Sequence, residues 1–252
     1  MRRRYVDAPL DSDEQRRASR GHSERPRRAP PTIELVGLAG VGKSHLTAGL
    51  LDLYGDRAVD LTSITPSLRT LPHLVPALVD AAPIMWLLMR RGFVGGQKRV
   101  RFAKAVLMQA WRERIVAHRG LRDCVVIVEE GWFHKLRQLR RLAGSGLSYR
   151  TLPGALRRRV ARAHLVLYLT ADDDTVCARK LRRRGIPVTP ETLRRQYLES
   201  EALGQWREHL HTSFDLREAA AESQLRYEVI DYHDGFNLES DLLPLLARHG
   251  VA

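Results

Sequence analysis

The sequence predicts an α/β fold built around a parallel β-sheet, and two observations predict it. Short apolar runs typical of buried strands recur along the chain, at residues 32–37, 58–62, 124–130, 164–170 and 227–232. Segments with the apolar spacing of amphipathic helices separate these runs. Strands that alternate with helices in this way form a parallel sheet that is covered by helices.

Helices are predicted between the strands and after the last one. They are expected at residues 74–91, 98–118, 132–142, 172–185 and 238–248, with one more before Gly55 and a long one from Pro190. Pro83 predicts a kink or a break in the helix at 74–91. The apolar positions of the long helix are Leu193, Tyr197, Trp206 and Leu210.

The composition is that of a globular protein. The chain has 252 residues, 44% hydrophobic and 28% charged, which is enough to bury a core and excludes collagen-like, low-complexity and disulfide-scaffold proteins. Cys124 and Cys177 form neither a CxxC motif nor a Cys/His cluster, so reduced thiols without a metal are expected. The uncharged stretch at 81–89 is shorter than the roughly 20 residues that span a membrane. The N-terminus lacks the apolar segment of a signal peptide, so we expect a cytoplasmic protein.

The chain is strongly basic. Its net charge is +13, from 42 basic and 29 acidic residues, which favours anionic partners. Only five of the basic residues are lysine, and a general bias towards arginine gives the same picture, so nucleic acid is allowed as a partner but not favoured. Residues 1–31 hold nine arginines and four prolines, which predicts a disordered basic arm ahead of one domain at 32–252.

A phosphate-binding motif follows the first strand. GLAGVGKS at 37–44 matches G-x-x-x-x-G-K-[ST], the Walker A pattern, with the required strand before it and helix after it. Glycines let successive backbone N–H groups turn inward around phosphates, and the helix adds its N-terminal donors. ATP and Mg²⁺ are the expected cofactors, with Lys43 at the β- and γ-phosphates and Ser44 at the metal. The predicted nucleotide-binding residues are Gly37, Ala39, Gly40, Val41, Gly42, Lys43, Ser44 and His45.

Two further groups are candidates for the chemistry. Glu129 ends the apolar run at 124–130 and is predicted to hold the metal or its water, whereas Glu130 either faces an acceptor or is a surface acid. Arg179 and Arg183 lie one helical turn apart and are predicted to reach the transferred phosphate. The breaks at Gly185 and Pro187 then make residues 179–192 a mobile lid. A solvated helix face is the alternative for these arginines.

Over residues 32–249 the chain resembles the P-loop kinases of nucleosides and nucleotides, the thymidylate-kinase and deoxynucleoside-kinase group. Four segments carry the resemblance: GLAGVGKS, KAVLMQAWRERIVAHRG with CVVIVEEG, HLVLYLTADDDTVCARKLRRRG, and VIDYHDGFNLESDLLPLL. The resemblance implies a three-layer P-loop NTPase fold with five parallel strands in the order 2-3-1-4-5. It also implies a kinase that transfers the γ-phosphate of ATP to a small molecule, most simply a nucleoside or nucleotide.

The acceptor side departs from that family. Glu130 and Gly131 stand where the family has an arginine after its strand-three acid, and LTSITPSL after the second strand offers only hydroxyls. The remaining candidate acceptor groups are Asp60, Arg90, Arg91, Arg99, Arg101 and Glu130. The alternative function is therefore a non-catalytic or weakly hydrolysing ATP-binding regulatory protein of the same fold. A GTPase is not favoured because the chain has no [NT]KxD motif. The sequence leaves a homodimer open.

Overall fold

The computed structural model describes residues 30–90, 96–119, 124–143, 149–152, 154–161, 163–223 and 225–251. The predicted basic arm at 1–31 lies outside this part of the chain, apart from its last two residues. None of the helices within the described residues is both long and apolar enough to cross a membrane.

Within the described residues, five strands form one sheet in the order β2-β3-β1-β4-β5. They are β1 (Thr32–Gly37), β2 (Ala58–Asp60), β3 (Val125–Glu129), β4 (Leu165–Thr170) and β5 (Tyr227–Asp231). Every neighbouring pair is parallel, so all five carboxyl ends lie along the same edge of the sheet. The predicted fold class and strand order are confirmed.

Helices connect the strands and follow the last of them. They are α1 (Lys43–Tyr54), α2 (Leu74–Arg90), α3 (Gly96–His118), α4 (Trp132–Ala143), α5 (Gly154–Val160), α6 (Asp173–Arg183), α7 (Pro190–Ala202), α8 (Gln205–Glu222) and α9 (Leu243–Arg248). Short 3-10 turns lie at Gly55–Arg57, Leu61–Ser63 and Leu68–His73, and a π-helical turn at Leu238–Leu242 precedes α9.

Consecutive residues of β1 pack on opposite faces of the sheet, as the pleat requires. Leu35 belongs to a core cluster with Leu46 of α1 and Leu246 of α9. Val36 belongs to a cluster on the other face with Phe133 of α4 and with residues of α2, α3, α5 and α8. The sheet is therefore the middle of three layers.

Two helix predictions need correction in detail. Of the kink or break predicted at Pro83, the break does not occur, because α2 continues through the proline to Arg90. Ala81 and Ile84, close to the proline in this helix, are both buried. Their packing offsets the loss of the one backbone hydrogen bond that proline cannot donate. The predicted long helix from Pro190 is two helices, because Gly204 takes a left-handed conformation with φ 68° and separates α7 from α8.

Two other segments differ from the expectation. The second strand ends at Asp60 instead of residue 62, because the Asp60 carboxylate accepts the Thr62 backbone N–H at 2.8 Å and caps a 3-10 turn. The short helix α5 was not predicted, because a helix of seven residues shows little apolar periodicity in the sequence.

A buried carboxylate in β1 anchors the start of α4. Glu34 is 2% exposed and accepts the Phe133 backbone N–H at 2.9 Å. A Cβ on Gly131 would lie 2.5 Å from a Glu34 carboxylate oxygen, so only glycine fits beside it. Burial raises the pKa of Glu34 to about 7, although the N–H groups of the first turn of α4 and the nearby Lys135 oppose the rise.

This buried acid predicts a pH-dependent stability. Between about pH 5 and pH 7 the folded chain keeps a proton on Glu34 that the unfolded chain releases, so the free energy of unfolding should fall as pH rises. The loss should be on the order of 2–3 kcal/mol and level off above pH 7. Glu34→Gln, which keeps an acceptor for Phe133, should remove this slope in denaturant titrations across the range.

The matched control is Glu191→Gln, which changes an exposed carboxylate in α7 and should leave the pH profile as in the wild type. An unchanged slope in Glu34→Gln would show that Glu34 is not the group that titrates.

Candidate active site

The loop between β1 and α1 has the conformation of a phosphate cradle. Gly40 and Gly42 have φ of 94° and 113°, values that residues with a side chain rarely adopt. The helix that follows has no acidic residue in its first turn, so no carboxylate of that turn competes for the positive end of its dipole. The loop therefore presents an N-terminus suited to an anion.

Neighbouring elements press against these glycines. A Cβ on Gly42 would lie 2.6 Å from the Cδ1 atom of the Tyr232 ring, and one on Gly40 would lie 3.1 Å from the Val176 carbonyl of α6. Gly37 is similarly close to β4, where a Cβ would lie 2.6 Å from the Leu169 carbonyl. The path of the loop is thus fixed from three sides.

Lys43 lies along the loop. Its ammonium donates to the Gly37 carbonyl and to the Leu38 carbonyl, both at 2.9 Å. The charge is therefore held at the carboxyl end of β1, where the loop begins. Ala39, by contrast, is exposed at the tip of the loop and Val41 is buried beneath it.

Ser44 and Glu129 meet across the sheet. The Ser44 hydroxyl donates to a Glu129 carboxylate oxygen at 3.1 Å, although 85 residues separate them. The pairing of β1 with β3, in which Leu35 is opposite Glu129, carries the carboxylate to this position. Both predicted metal-binding residues are thus in contact.

These two oxygens suit a magnesium ion that also binds phosphate. Hydroxyl and carboxylate oxygens are the hard ligands that Mg²⁺ prefers, and this ion usually keeps several positions for water and substrate phosphates. Within the described residues, no group of three or more histidine, cysteine or acidic side chains could hold a metal by itself. Ser44 and Glu129 together supply two such oxygen ligands at the start of α1.

Arg179 of α6 reaches the loop from the other side. Its guanidinium donates to the Val41 carbonyl at 2.8 Å and to the Tyr232 carbonyl at 3.2 Å, and it forms an ion pair with Asp234 at 2.6 Å. It also lies over the Tyr232 ring at 5.5 Å from the ring centre. His45, the last predicted loop residue, contacts the Tyr232 hydroxyl.

Arg183, one turn further along α6, is exposed. The structure therefore places the two predicted lid arginines differently, with Arg179 against the phosphate loop and Arg183 at the surface. The segment between Arg183 and Pro190 is exposed throughout, and it contains Gly185, whose φ is 70°. The lid at 179–192 remains a prediction.

Lys180 connects the loop to the helices after it, a role that sequence reasoning missed. A Cβ added to Gly40 would lie 3.0 Å from the Lys180 Cγ atom, so the stem of Lys180 packs against the loop. The Lys180 ammonium donates to the Ser200 hydroxyl at 3.0 Å and to the Gln205 side chain at 2.6 Å. The ammonium also lies over the Trp206 ring. Burial lowers the pKa of Lys180. Because these partners belong to α7 and α8, Lys180 links those two helices to the phosphate loop.

A small pocket lies beside Lys43 on the face of the sheet that α4 and α8 cover. Its polar lining consists of Lys43, His134, Tyr168 and His209. The Tyr168 hydroxyl donates to the His209 carbonyl at 2.8 Å and lies 2.6 Å from the His209 Nδ1 atom. His134 lies 3.8 Å from the Glu130 carboxylate. The sequence analysis did not single out these side chains either. The pattern of a strand or a helix does not distinguish one tyrosine or histidine from another.

The structure describes the side chains of three of the predicted acceptor groups. Asp60 is engaged with Thr62, and Arg101 is exposed. Glu130 is exposed and takes a left-handed conformation with φ 55°, in the turn between β3 and α4. The side chains of Arg90, Arg91 and Arg99 lie outside the part of the chain that the structure describes.

Comparisons with known proteins reach the fold alone. No protein-family model matches the chain, and no curated protein matches it. Solved structures that resemble it include TT1252 from Thermus thermophilus, 18% identical over 88% of this chain and 98% of that one, with a TM-score of 0.40. Shikimate kinase from Acinetobacter baumannii, solved with shikimate, is 16% identical over 88% and 96%, with a TM-score of 0.39. Deoxyadenosine kinase from M. mycoides, solved with dCTP, is 13% identical over 88% and 100%, with a TM-score of 0.34.

Scores this low carry no argument about activity or substrate. The strand order and the position of the phosphate loop in this chain are those of the P-loop kinase fold, which the resemblance of the sequence implied.

The packing of Gly42 generates a test of the loop. Gly42→Ala would place a methyl group against the Tyr232 ring at a φ that alanine resists, so it should lower the free energy of unfolding by about 1–3 kcal/mol. Gly96→Ala is the control, because nothing lies within 4 Å of its added Cβ. Urea denaturation measures both variants. Equal stability of Gly42→Ala and the wild type would contradict the close approach of Tyr232 to the loop.

Proposed function

We propose that this protein is an ATP-dependent phosphotransferase that transfers the γ-phosphate of ATP, with Mg²⁺ bound, to a small molecule, most simply a nucleoside or a nucleotide. The observation that carries the proposal is the 3.1 Å contact between the Ser44 hydroxyl and the Glu129 carboxylate at the start of α1. A phosphate loop alone would serve many functions. A strand-end carboxylate against its serine adds the second ligand that a metal-assisted transfer requires.

Ser44 and Glu129 would hold the magnesium ion or a water on it. The bound ion supplies charge neutralisation for the phosphates during transfer. The chain itself orients the phosphates through the backbone N–H groups of the loop and the first turn of α1. Lys43 is already aligned with the loop through the Gly37 and Leu38 carbonyls, and it would exchange these acceptors for phosphate oxygens.

Arg179 is assigned to nucleotide binding. Its planar guanidinium is fixed between the Val41 carbonyl and Asp234, beside the loop that would hold the phosphates. A guanidinium held in this way can pair with a phosphate or stack on a base without further ordering. Arg183 is assigned to the transition state of phosphate transfer. It is exposed, and a movement that includes the exposed segment after it would bring its guanidinium to the phosphate.

A regulatory ATP-binding protein remains the second candidate, and one observation favours it. Among the candidate acceptor groups that the structure describes, Asp60 accepts hydrogen bonds from Thr62, and Arg101 and Glu130 are exposed, so none of the three is assigned to an acceptor. ATP turnover measured alone and with a panel of nucleosides, nucleotides and sugars separates the two. A kinase shows turnover that one member of the panel stimulates, whereas the regulatory protein binds ATP and responds to none.

The carboxylate at the end of β3 gives a sharp test with a neighbouring control. Glu129→Gln keeps the shape of the side chain and removes its charge, so turnover should fall by at least about 100-fold. Binding of ATP without Mg²⁺ should change little, because the carboxylate acts through the metal. Asp56→Asn alters an exposed acid just before β2, the strand beside β3, and should leave turnover within about twofold. Wild-type turnover in Glu129→Gln would move the role to another acid.

The two arginines of α6 should separate binding from transfer. Arg179→Ala removes charged hydrogen bonds beside the loop, so it should weaken ATP binding by about tenfold or more. Arg183→Ala should lower kcat by about 100-fold and leave ATP affinity nearly unchanged, as expected for a group that acts only in the transition state.

Arg195→Ala is the control for these variants, since Arg195 is exposed on α7 and pairs with Glu191 of the same helix. If Arg183→Ala and Arg195→Ala behave alike in steady-state assays, the run of arginines is a solvated helix face and there is no lid arginine at 183.

A further inference from the structure

The pocket beside Lys43 contains a pair of side chains whose contacts fix the position of one proton. The Tyr168 hydroxyl oxygen lies 2.8 Å from the backbone carbonyl oxygen of His209 and 2.6 Å from the Nδ1 atom of the same residue. Two oxygens at this distance need a hydrogen between them, and a carbonyl has none to give. Tyr168 therefore donates to the carbonyl, and its oxygen accepts a hydrogen bond from Nδ1 of His209.

The protonation of the His209 ring follows from this pair of bonds. A neutral imidazole carries one N–H, and here it is on Nδ1, so Nε2 keeps its lone pair and is a proton acceptor. The rings of Tyr168 and His209 also stack, with their centres 5.0 Å apart and their planes 21° from parallel. Tyr168 is 3% exposed, so a buried side chain holds the ring in this orientation. A base oriented by a neighbouring group is a recurrent arrangement in enzymes that activate a nucleophile.

The pair lies next to the place that the phosphates would take. In the sheet, Tyr168 of β4 is opposite Val36 of β1, the residue before Gly37, where the phosphate loop begins. Lys43 would hold the β- and γ-phosphates, and it lines the same pocket as His209. A group that enters this pocket would therefore meet both the histidine and the transferred phosphate.

The pocket suits a small polar group. Its volume is about 10 Å³, close to what one water molecule or one hydroxyl oxygen needs. A phosphate group, with three outer oxygens, is larger. Val36 and Phe133 supply apolar walls beside the polar side chains, so the pocket fits the O–H of an alcohol together with the carbon that bears it.

We propose that His209 accepts the proton of an acceptor hydroxyl during phosphate transfer, and that Tyr168 is the positioning residue that keeps the His209 Nε2 atom ready for it. The inference rests on the proposed function and narrows its acceptor to an alcohol. The hydroxyl oxygen forms a bond to the γ-phosphorus, and the hydroxyl proton goes to Nε2. The bond from that phosphorus to the bridging oxygen breaks, ADP leaves with the electron pair, and the imidazolium later gives its proton to water.

The presence of a base distinguishes two kinds of acceptor. An alcohol keeps its proton at neutral pH, so this proton must leave as the new bond forms. The phosphate of a nucleotide has a second pKa of about 6 and is largely deprotonated at neutral pH, so it needs no base. A histidine in the pocket therefore favours the hydroxyl of a nucleoside or a sugar over the phosphate of a nucleotide.

The experiment measures phosphate transfer from MgATP by the full chain to a panel of ribonucleosides, deoxynucleosides, their 5′-monophosphates and free hexoses. Phosphorus NMR of the product identifies the new bond. A phosphate ester gives a signal without phosphorus–phosphorus coupling, whereas a phosphoanhydride gives coupled signals. The expected product is an ester.

Two variants of His209 test the base. His209→Asn keeps a side-chain N–H near the position of Nδ1 and removes the basic nitrogen, so kcat with the acceptor that the wild type uses should fall by about 100-fold or more. His209→Gln should do the same. The affinity for MgATP, measured by calorimetry, should stay within about threefold in both, which also shows that they are folded. His164→Asn is the matched control, because His164 is exposed at the opposite end of β4, and it should leave kcat within about twofold.

Tyr168→Phe tests the positioning role. The change keeps the ring and removes the partner of Nδ1, so kcat should fall by about tenfold. Adding Tyr168→Phe to His209→Asn should lower kcat little further, because no base is left to position. A merely structural tyrosine would lower kcat by the same factor in both backgrounds.

The results that would overturn the proposal differ from those that would overturn the kinase itself. A phosphoanhydride product, or wild-type kcat in both His209 variants, would exclude His209 as the base of a working kinase. So would a loss of MgATP affinity as large as the loss of turnover, which would make the role of His209 structural. Equal effects of Tyr168→Phe in both backgrounds would remove the role of Tyr168. A wild type that transfers phosphate to no member of the panel would contradict the proposed function, and this inference with it.

Discussion

Close packing around three glycines of the phosphate loop is the constraint on which the rest of the site depends. Gly37, Gly40 and Gly42 all have positive φ, and each faces a different neighbour, namely β4, α6 and the end of β5. A Cβ at Gly37 would overlap the backbone of β4, one at Gly42 would overlap the Tyr232 ring, and one at Gly40 would pack tightly against α6. The loop therefore has one path through the structure, and that path sets the direction in which α1 begins.

The chemistry follows from that path. The start of α1 presents Ser44 to the end of β3, where the register of the parallel sheet has placed Glu129. The same loop offers its Val41 carbonyl to Arg179, so the guanidinium is held against the loop. Glu34 supports the position of Glu129, because its carboxylate accepts the Phe133 backbone N–H in the first turn of α4. This bond fixes the short connection between Glu129, at the end of β3, and α4. The site is thus largely organised by the protein alone, which reduces the entropy lost on binding.

Local patterns were enough to predict much of this arrangement. The five strands, their parallel direction and the position of the phosphate loop follow from apolar runs, helical spacing and one motif, whereas the strand order was implied by the resemblance to the P-loop kinases of nucleosides and nucleotides. Glu129 could be singled out because it ends a buried strand, and its contact with Ser44 agrees with the expected place, while its role remains a prediction. Gly204 was passed over because one glycine in a periodic segment does not announce a helix end until its φ is known.

The rest could not be predicted because it depends on contacts between distant parts of the chain. Tyr232 and Asp234 meet Arg179 across more than fifty residues, and no local spacing relates them. The ionisable Glu34 lies within an apolar strand, where its partners are the backbone groups of α4 about a hundred residues later. The exposed side of α2 looked like part of an apolar helix in the sequence, and only burial shows which side chains are left without packing.

Titration calorimetry of MgATP binding to the wild type and to Lys43→Ala tests the central claim most directly. The side chain of Lys43 donates to the Gly37 and Leu38 carbonyls of the loop, and the melting temperature of the variant establishes whether it is folded. The account predicts one ATP bound per chain in the wild type and an affinity at least about tenfold lower in the variant. A folded Lys43→Ala variant that binds MgATP as tightly as the wild type, or a wild type that binds none, would contradict it.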